Sequence, residues 1–323
     1  MRSASIVRRA EALASASRRS AEASASAGLG RRRLKPARYA STKSVLLLVC
    51  GLLVVAVSCR RAPAPTPEVV AVSAAALPDD PGDAAWRTAP EHVAALLLQD
   101  LVEPRLMKPS TREVRVRALS NGSQVAFRIE WADEVANDLP GAGRFLDAVA
   151  VQVPQKADVN APDPQMGQEG RPVEIAYWRS DWQAMVNGRG DTIQSLYPNA
   201  TVDHYPYEAA PLEPGSDAQR QMARRYAPAD AVGNLRGGLR KTVVEDLIAE
   251  GPGTLSPAPA TTSRGRGVRT KNGWVVVITR RTPDGLAPRG RTQVAFAVWE
   301  GSAEEVGSRK MRTGWVGLSM RGQ

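Results

Sequence analysis

From residue 113 to residue 299 the apolar side chains arrive in bursts of six to nine residues, strand length rather than helix length, with turn chemistry between them. Residues 113–119 (EVRVRAL) alternate apolar and charged side chains, as a half-buried strand does. Asn121-Gly122 then supplies a turn before 124–131 (QVAFRIEW), so 113–131 is predicted to be a β-hairpin. Residues 145–153 (FLDAVAVQV) and 173–178 (VEIAYW) read as two further strands, and 274–279 (WVVVIT) with 293–299 (QVAFAVW) as a late pair. Ala85-Trp86 looks like the start of another. Helical pattern is confined to 180–187, 217–226 and a turn near 243–249. The expected fold class is mainly β: a β-sandwich with a few short helices and long loops. Residues 185–270 are loop-rich, which is where binding tends to reside.

The remaining composition sorts itself by position. The chain has 323 residues and a formal charge of +10, which on its own would point to an anionic partner. Up to Cys59, however, there are eleven basic residues against two acidic ones, and after it 32 against 31. The basic character belongs to the leader, and no nucleic-acid partner is expected. Residues 44–58 (SVLLLVCGLLVVAVS) are uncharged and apolar, shorter than the ~20 residues of a spanning helix and preceded by Lys43 and Arg31-Arg32-Arg33. That is the layout of a signal peptide. The run ends Ala56-Val57-Ser58-Cys59, which resembles a bacterial lipobox, so Cys59 is the expected lipidation site. A plain signal peptide or a short uncleaved anchor is the alternative. The expected divisions are a leader over 1–59, a Pro/Ala-rich tether over 60–82, and the sandwich domain over 83–323. Such a protein would be exported and held at the periplasmic side of a membrane.

The chemistry open to the body is narrow. The only cysteines, Cys50 and Cys59, lie in or beside the apolar run, so disulfides, thiolate metal sites and C-x-x-C-H haem attachment are not expected beyond it. Two histidines, His92 and His204, make a multi-histidine metal site or a Ser-His-Asp triad a poor expectation. Glu245 and Asp246 are adjacent and do not converge as a catalytic pair on a helix face; they are expected to order the local turn. No catalytic residue is singled out.

Several pieces in order carry a resemblance. They are 145–152 (FLDAVAVQ), Met166-Gly167 followed by 173–178, then Val244-Glu245-Asp246-Leu247 with Ala249-Glu250-Gly251 and Gly253-Thr254-Leu255. Gly273-Trp274 and 295–301 (AFAVWEG) follow, running on to Lys310 and Trp315. Together, over roughly 83–318, they resemble the haem b (gamma) subunit of type II enzymes of the dimethylsulfoxide reductase family, the ethylbenzene dehydrogenase-like group. The resemblance implies one non-covalent haem b in a pocket at the edge of the sandwich, held by a methionine and a lysine. It also implies a non-catalytic electron-transfer role beside a molybdopterin catalytic subunit and an iron–sulfur subunit. Electrons would pass to or from an external carrier, a cytochrome or the quinone pool.

Carried onto this chain, the methionine is Met166, whose soft neutral thioether favours ferrous iron. The lysine is Lys310, with Lys241 and Lys271 as rivals because both precede matched pieces. Trp178, Trp182, Trp274, Trp299 and Trp315 are core or pocket-wall candidates. Gly251-Pro252-Gly253 departs from the family in having proline where an aromatic is expected. The alternative function is a carbohydrate-binding β-sandwich lipoprotein without haem, using exposed tryptophans as stacking platforms.

Overall fold

Alternation within the apolar bursts gives each strand two working faces, and the architecture follows from burying both. A computed structural model describes residues 65–200, 213, 215–226 and 240–321. The leader with Cys59, and also His204, lie outside the described residues. The strands run β1 (Val69–Ser73), β2 (His92–Ala95), β3 (Leu97–Leu98), β4 (Glu113–Ser120), β5 (Gln124–Ala132), β6 (Ala148–Pro154) and β7 (Val173–Arg179). They continue as β8 (Val244–Ala249), β9 (Ser256–Pro257), β10 (Arg264–Arg269), β11 (Gly273–Arg281), β12 (Arg291–Trp299), β13 (Met311–Arg312) and β14 (Val316–Arg321). Helices are short: α1 (Ser180–Val186), α2 (Ile193–Leu196) and α3 (Asp217–Tyr226).

The strand order is β10-β11-β5-β4-β1-β14-β12-β6-β7-β8-β9. Strand β12 is the hinge of this arrangement. Its first half, Arg291 to Val294, pairs with β14, and its second half, Ala295 to Trp299, pairs with β6. The path therefore divides into two layers that share β12. Val114, Phe127, Val276 and Ile278 from one layer pack with Val149, Val151, Ala176 and Trp178 from the other in a single core. Phe127 and Phe296 meet edge to face at 6.1 Å across it. This is the β-sandwich expected from the sequence.

The second layer buries its outer face as well. In β6, Val149, Val151 and Val153 enter the central core while Ala148 and Ala150 face a separate cluster with Ile175, Leu247 and Trp299. That outer cluster forms the floor of the site described below.

Four local expectations need correction. Residues 69–73 are not part of a tether: β1 pairs in parallel with β14 and β4, and Val69, Val70 and Ala71 are buried. Residues 84–88 form a 3₁₀ turn capped by Asp83, whose carboxylate accepts from Ala85 N, and not a strand; Trp86 covers the outer face of the first layer. Residues 244–249 are a full strand paired along β7, not a helical turn. Asp246 there accepts from Thr262 N (2.7 Å) and Ser263 N (2.9 Å), so its ordering role is exerted on a loop across the sheet. Finally, the Gly- and Arg-rich segment 264–269 is a strand on the edge of the sheet, beside β11.

Candidate functional site

The outer face of the second layer opens into a cleft of about 490 Å³, within the range of small-molecule and cofactor sites. Period-two geometry places its floor. Ile175 and Tyr177 alternate with the core residues Ala176 and Trp178 on β7, and Trp299 alternates with Val298 on β12. Leu247 on β8 completes an apolar surface. Tyr177 meets Trp299 edge to face at 5.2 Å and Trp182 at 5.6 Å, so the aromatic floor is held in one arrangement from both sides.

One wall is the loop carrying Met166. The backbone of Met166 is left-handed, φ 74°, and Gly167 follows at φ 80°. A methionine in that region costs on the order of 1–3 kcal/mol, and the loop's bonds hold it there. Met166 O accepts from Gly251 N (2.8 Å), Gly167 N donates to Asp163 O (2.9 Å), and Gln152 Nε2 on β6 donates to Pro164 O (2.9 Å). Trp315 Nε1 donates to Pro162 O at 2.6 Å. A Cβ on Gly167 would lie 2.9 Å from Ala249 O, so glycine is required there for space as well as for φ. The thioether of Met166 packs on the outer cluster.

The segment that leads from Trp299 to β13 also lines the cleft. Trp299 Nε1 donates to Gly307 O (3.0 Å), Gln99 Nε2 donates to Ser308 O (3.0 Å), and Gln99 N donates to Lys310 O (3.2 Å). Lys310 lines the cleft together with Met166. Its ammonium lies 5.2 Å from the Trp299 ring centroid. Burial, reinforced by the charge of Arg312, pushes the amine down to about 8. The rivals are placed differently: Lys241 and Lys271 are both exposed, and neither lines the cleft. His92 is buried with Nδ1 2.7 Å from Thr66 O, away from the cleft. Two guanidinium groups, Arg179 and Arg312, complete the lining. Arg179 is anchored by Asp181 in a two-pronged ion pair at 2.6 and 2.9 Å.

The depressed Lys310 amine has a consequence for ligand-free protein. Between pH 8 and about 10.5 the unfolded chain binds this proton and the folded chain does not, so stability rises with pH across that window. The penalty, up to about 3 kcal/mol, is complete below pH 8 and gone above 10.5. Urea denaturation of the ligand-free protein and of Lys310→Met should show the variant's advantage shrinking as pH rises through this window. A constant difference would show that Lys310 is not desolvated.

A second concentration of ionisable groups was not foreseen, since its members are distant in sequence. Asp133, Asp147 and Glu300 bring carboxylate oxygens within 4.8 Å of one another beside the end of β12. Burial, with the neighbouring charges of Asp133 and Asp147, pushes Glu300 up to about 7, and burial pushes Asp147 up to about 6. Two of the matched sequence pieces, 145–152 and 295–301, supply Asp147 and Glu300; the spacing alone gave no signal that they meet.

All seven tryptophans are buried or half-buried, and Trp299 shows its ring in the cleft. Among the described residues no helix is long and apolar enough to cross a membrane.

A β-sandwich whose outer face carries an apolar cleft lined by a thioether loop and a half-buried lysine is the class of protein that these features define. The family model described as ethylbenzene dehydrogenase matches residues 83–311, and the chain belongs to that family. It is similar to a protein of Haloferax mediterranei named as a respiratory nitrate reductase heme subunit, 23% identical over 245 residues, covering 74% of this chain and 67% of that one. It is also similar to the chlorate reductase subunit gamma of Ideonella dechloratans, 23% identical over 233 residues, with 70% and 72% covered. Among solved structures, a family 9 carbohydrate-binding module from Caldicellulosiruptor kristjanssonii in complex with cellotriose aligns with a TM-score of 0.40 at 8% identity. That alignment covers 79% of this chain and 94% of the module.

Proposed function

We propose that this chain is the haem-carrying electron-transfer subunit of an exported molybdoenzyme complex, with one haem b in the cleft whose iron Met166 and Lys310 would hold. The observation that carries the reading is the pairing of a thioether and a desolvated amine in one apolar cleft. The names of both relatives, a nitrate reductase heme subunit and a chlorate reductase gamma subunit, support it. The donor chemistry fits the group. A neutral sulfur and an amine that loses its proton readily are both competent iron ligands, and the floor of Ile175, Leu247, Tyr177 and Trp299 offers an apolar surface for a porphyrin. Arg179 and Arg312 supply positive charge for the carboxylates of such a ligand.

When bound, the haem supplies a one-electron redox centre. The residues of the chain do the rest. Met166 favours the ferrous state through its softness, and Lys310 must release a proton from Nζ to ligate. The apolar floor lowers the local dielectric and fixes the potential against solvent. With Met166 and Lys310 both holding the iron, the site would pass electrons and offer no position to a substrate. The partners would be a molybdopterin catalytic subunit, an iron–sulfur subunit and an external cytochrome or quinone carrier. Attachment to the membrane would be through an acylated Cys59.

The test is direct. Protein purified from cells supplied with haem precursor should be red, carry one non-covalent haem per chain, and show a sharp α-band on reduction. A colourless preparation that also fails to take up added hemin would end the proposal.

A further inference from the structure

We infer that Asp133, Asp147 and Glu300 form a buried site for one calcium-type divalent cation at the seam of the sandwich, separate from the cleft. The three side chains come from the end of β5, the approach to β6 and the end of β12, and their carboxylate oxygens lie within 4.8 Å of one another. Asp147 is fully buried and the Asp133 side chain has no exposed surface.

The hydrogen bonding shows a carboxylate with capacity to spare. Asp133 Oδ1 accepts from Val135 N (2.8 Å) and faces Arg269 Nη1 at 3.3 Å, but Asp133 Oδ2 is buried with no hydrogen-bond partner. An orphaned carboxyl oxygen in that position is costly unless something outside the protein satisfies it. Asp147 is oriented by three donors: Asn137 N (2.7 Å) and Trp274 Nε1 (3.0 Å) to Oδ2, and Gly301 N (3.0 Å) to Oδ1. That leaves a lone pair on Oδ1. Glu300 Oε1 accepts from Ser302 N at 3.2 Å, and the partial exposure of Glu300 gives an ion and its waters a way in.

Charge and size choose the occupant. Once all three carboxylates are ionised, as a bound cation would require, they leave two negative charges against the Arg269 guanidinium, which one divalent ion neutralises. The donor set is oxygen alone, which selects hard cations over zinc or copper. Calcium takes six to eight oxygens at about 2.3–2.6 Å in flexible geometry, whereas magnesium demands a near-octahedral set at about 2.0–2.1 Å; carboxylates held by three separate strand ends suit the more tolerant ion. Because Glu300 also caps the turn at Gly301–Ala303, the ion would tie β5 and β6 to the start of the segment that carries Lys310.

The full chain, stripped with EDTA and dialysed, should be titrated with CaCl₂ by calorimetry and melted with and without the ion. The expected result is one Ca²⁺ per chain and a melting temperature raised by about 5–10 °C at hundredfold excess over Kd. Glu300→Gln, which keeps an oxygen for Ser302 N, should weaken binding at least tenfold without lowering the melting point of the stripped protein. Asp133→Asn should do the same and guards against a folding defect in the first variant. No saturable heat with Ca²⁺ and an EDTA-insensitive melting point would overturn the assignment, as would unchanged binding in both variants. None of these readouts uses haem, so failure here leaves the cleft reading untouched.

Discussion

On the proposed ligation, replacing Lys310 by alanine is expected to convert a six-coordinate, low-spin haem into a five-coordinate one, visible as a broadened, weakened α-band and a shifted Soret maximum. The aromatic floor and Met166 remain, so the variant should still be pigmented. The argument rests on proton competition. At pH 7 a free lysine with pKa about 10.4 is neutral in only about four molecules in ten thousand. Lys310, pushed down to about 8 by burial, is neutral in about one in ten. Burial therefore removes most of the handicap before iron is involved. Lysines 241 and 271, both exposed, lack that preparation, and alanine at either should leave the spectrum unchanged. Lys310→Arg is the sharper control: it keeps length and charge, but a guanidinium does not deprotonate in proteins and offers no lone pair. It should resemble the alanine variant in spin state. A low-spin spectrum that survives in Lys310→Ala would remove Lys310 from the iron. With Met166 retained, the remaining candidate ligands would then have to be found elsewhere on the cleft wall.

What could be read from the sequence divides along physical lines. Strands β4 and β5 were legible because Asn121-Gly122 fixes a turn between two alternating runs. Strands β6, β7, β11 and β12 were legible because both faces are apolar. Strand β1 was hidden by its Pro/Ala-rich surroundings, although its two parallel neighbours make it central. Strand β8 was misread because Glu245 and Asp246 break the apolar run; the structure buries Glu245 on the outer face and spends Asp246 on the loop at 262–263. The site shows the same split. Met166 and Lys310 came from a family resemblance, and nothing in their spacing shows that they line one cleft. The Tyr177–Trp299 floor was partly readable, since strands buried on both faces must put something apolar outward. The carboxylate trio was not readable, because its contacts depend on how β5, β6 and β12 end beside each other in space.

Gly267→Ala is expected to destabilise the domain by about 3 kcal/mol or more, in the range of overpacking a closed core, and to lower the melting temperature by roughly 6–12 °C. In β10 this glycine sits opposite Val276, and a Cβ there would stand 2.3 Å from Trp178 Cζ2 and 2.7 Å from Cε2. The indole cannot yield. Trp178 has no exposed surface and is held edge to face by Trp274 at 5.2 Å and Trp131 at 6.3 Å. The strand cannot withdraw freely either, because Gly267 N donates to the buried Gln183 Oε1 at 2.7 Å. Exposed Arg266, its neighbour, is the control: alanine there should change stability by no more than about 0.5 kcal/mol. The damage should also reach the cleft. Trp178 and Tyr177 are consecutive on β7, so any rotation or shift that relieves the indole moves the Tyr177 ring on the opposite face of the same strand. Thermal melts should therefore fall together with haem retention in Gly267→Ala. If the protein melts as the wild type does, Trp178 is not pressed against β10, and the closeness of the two layers at that point is wrong.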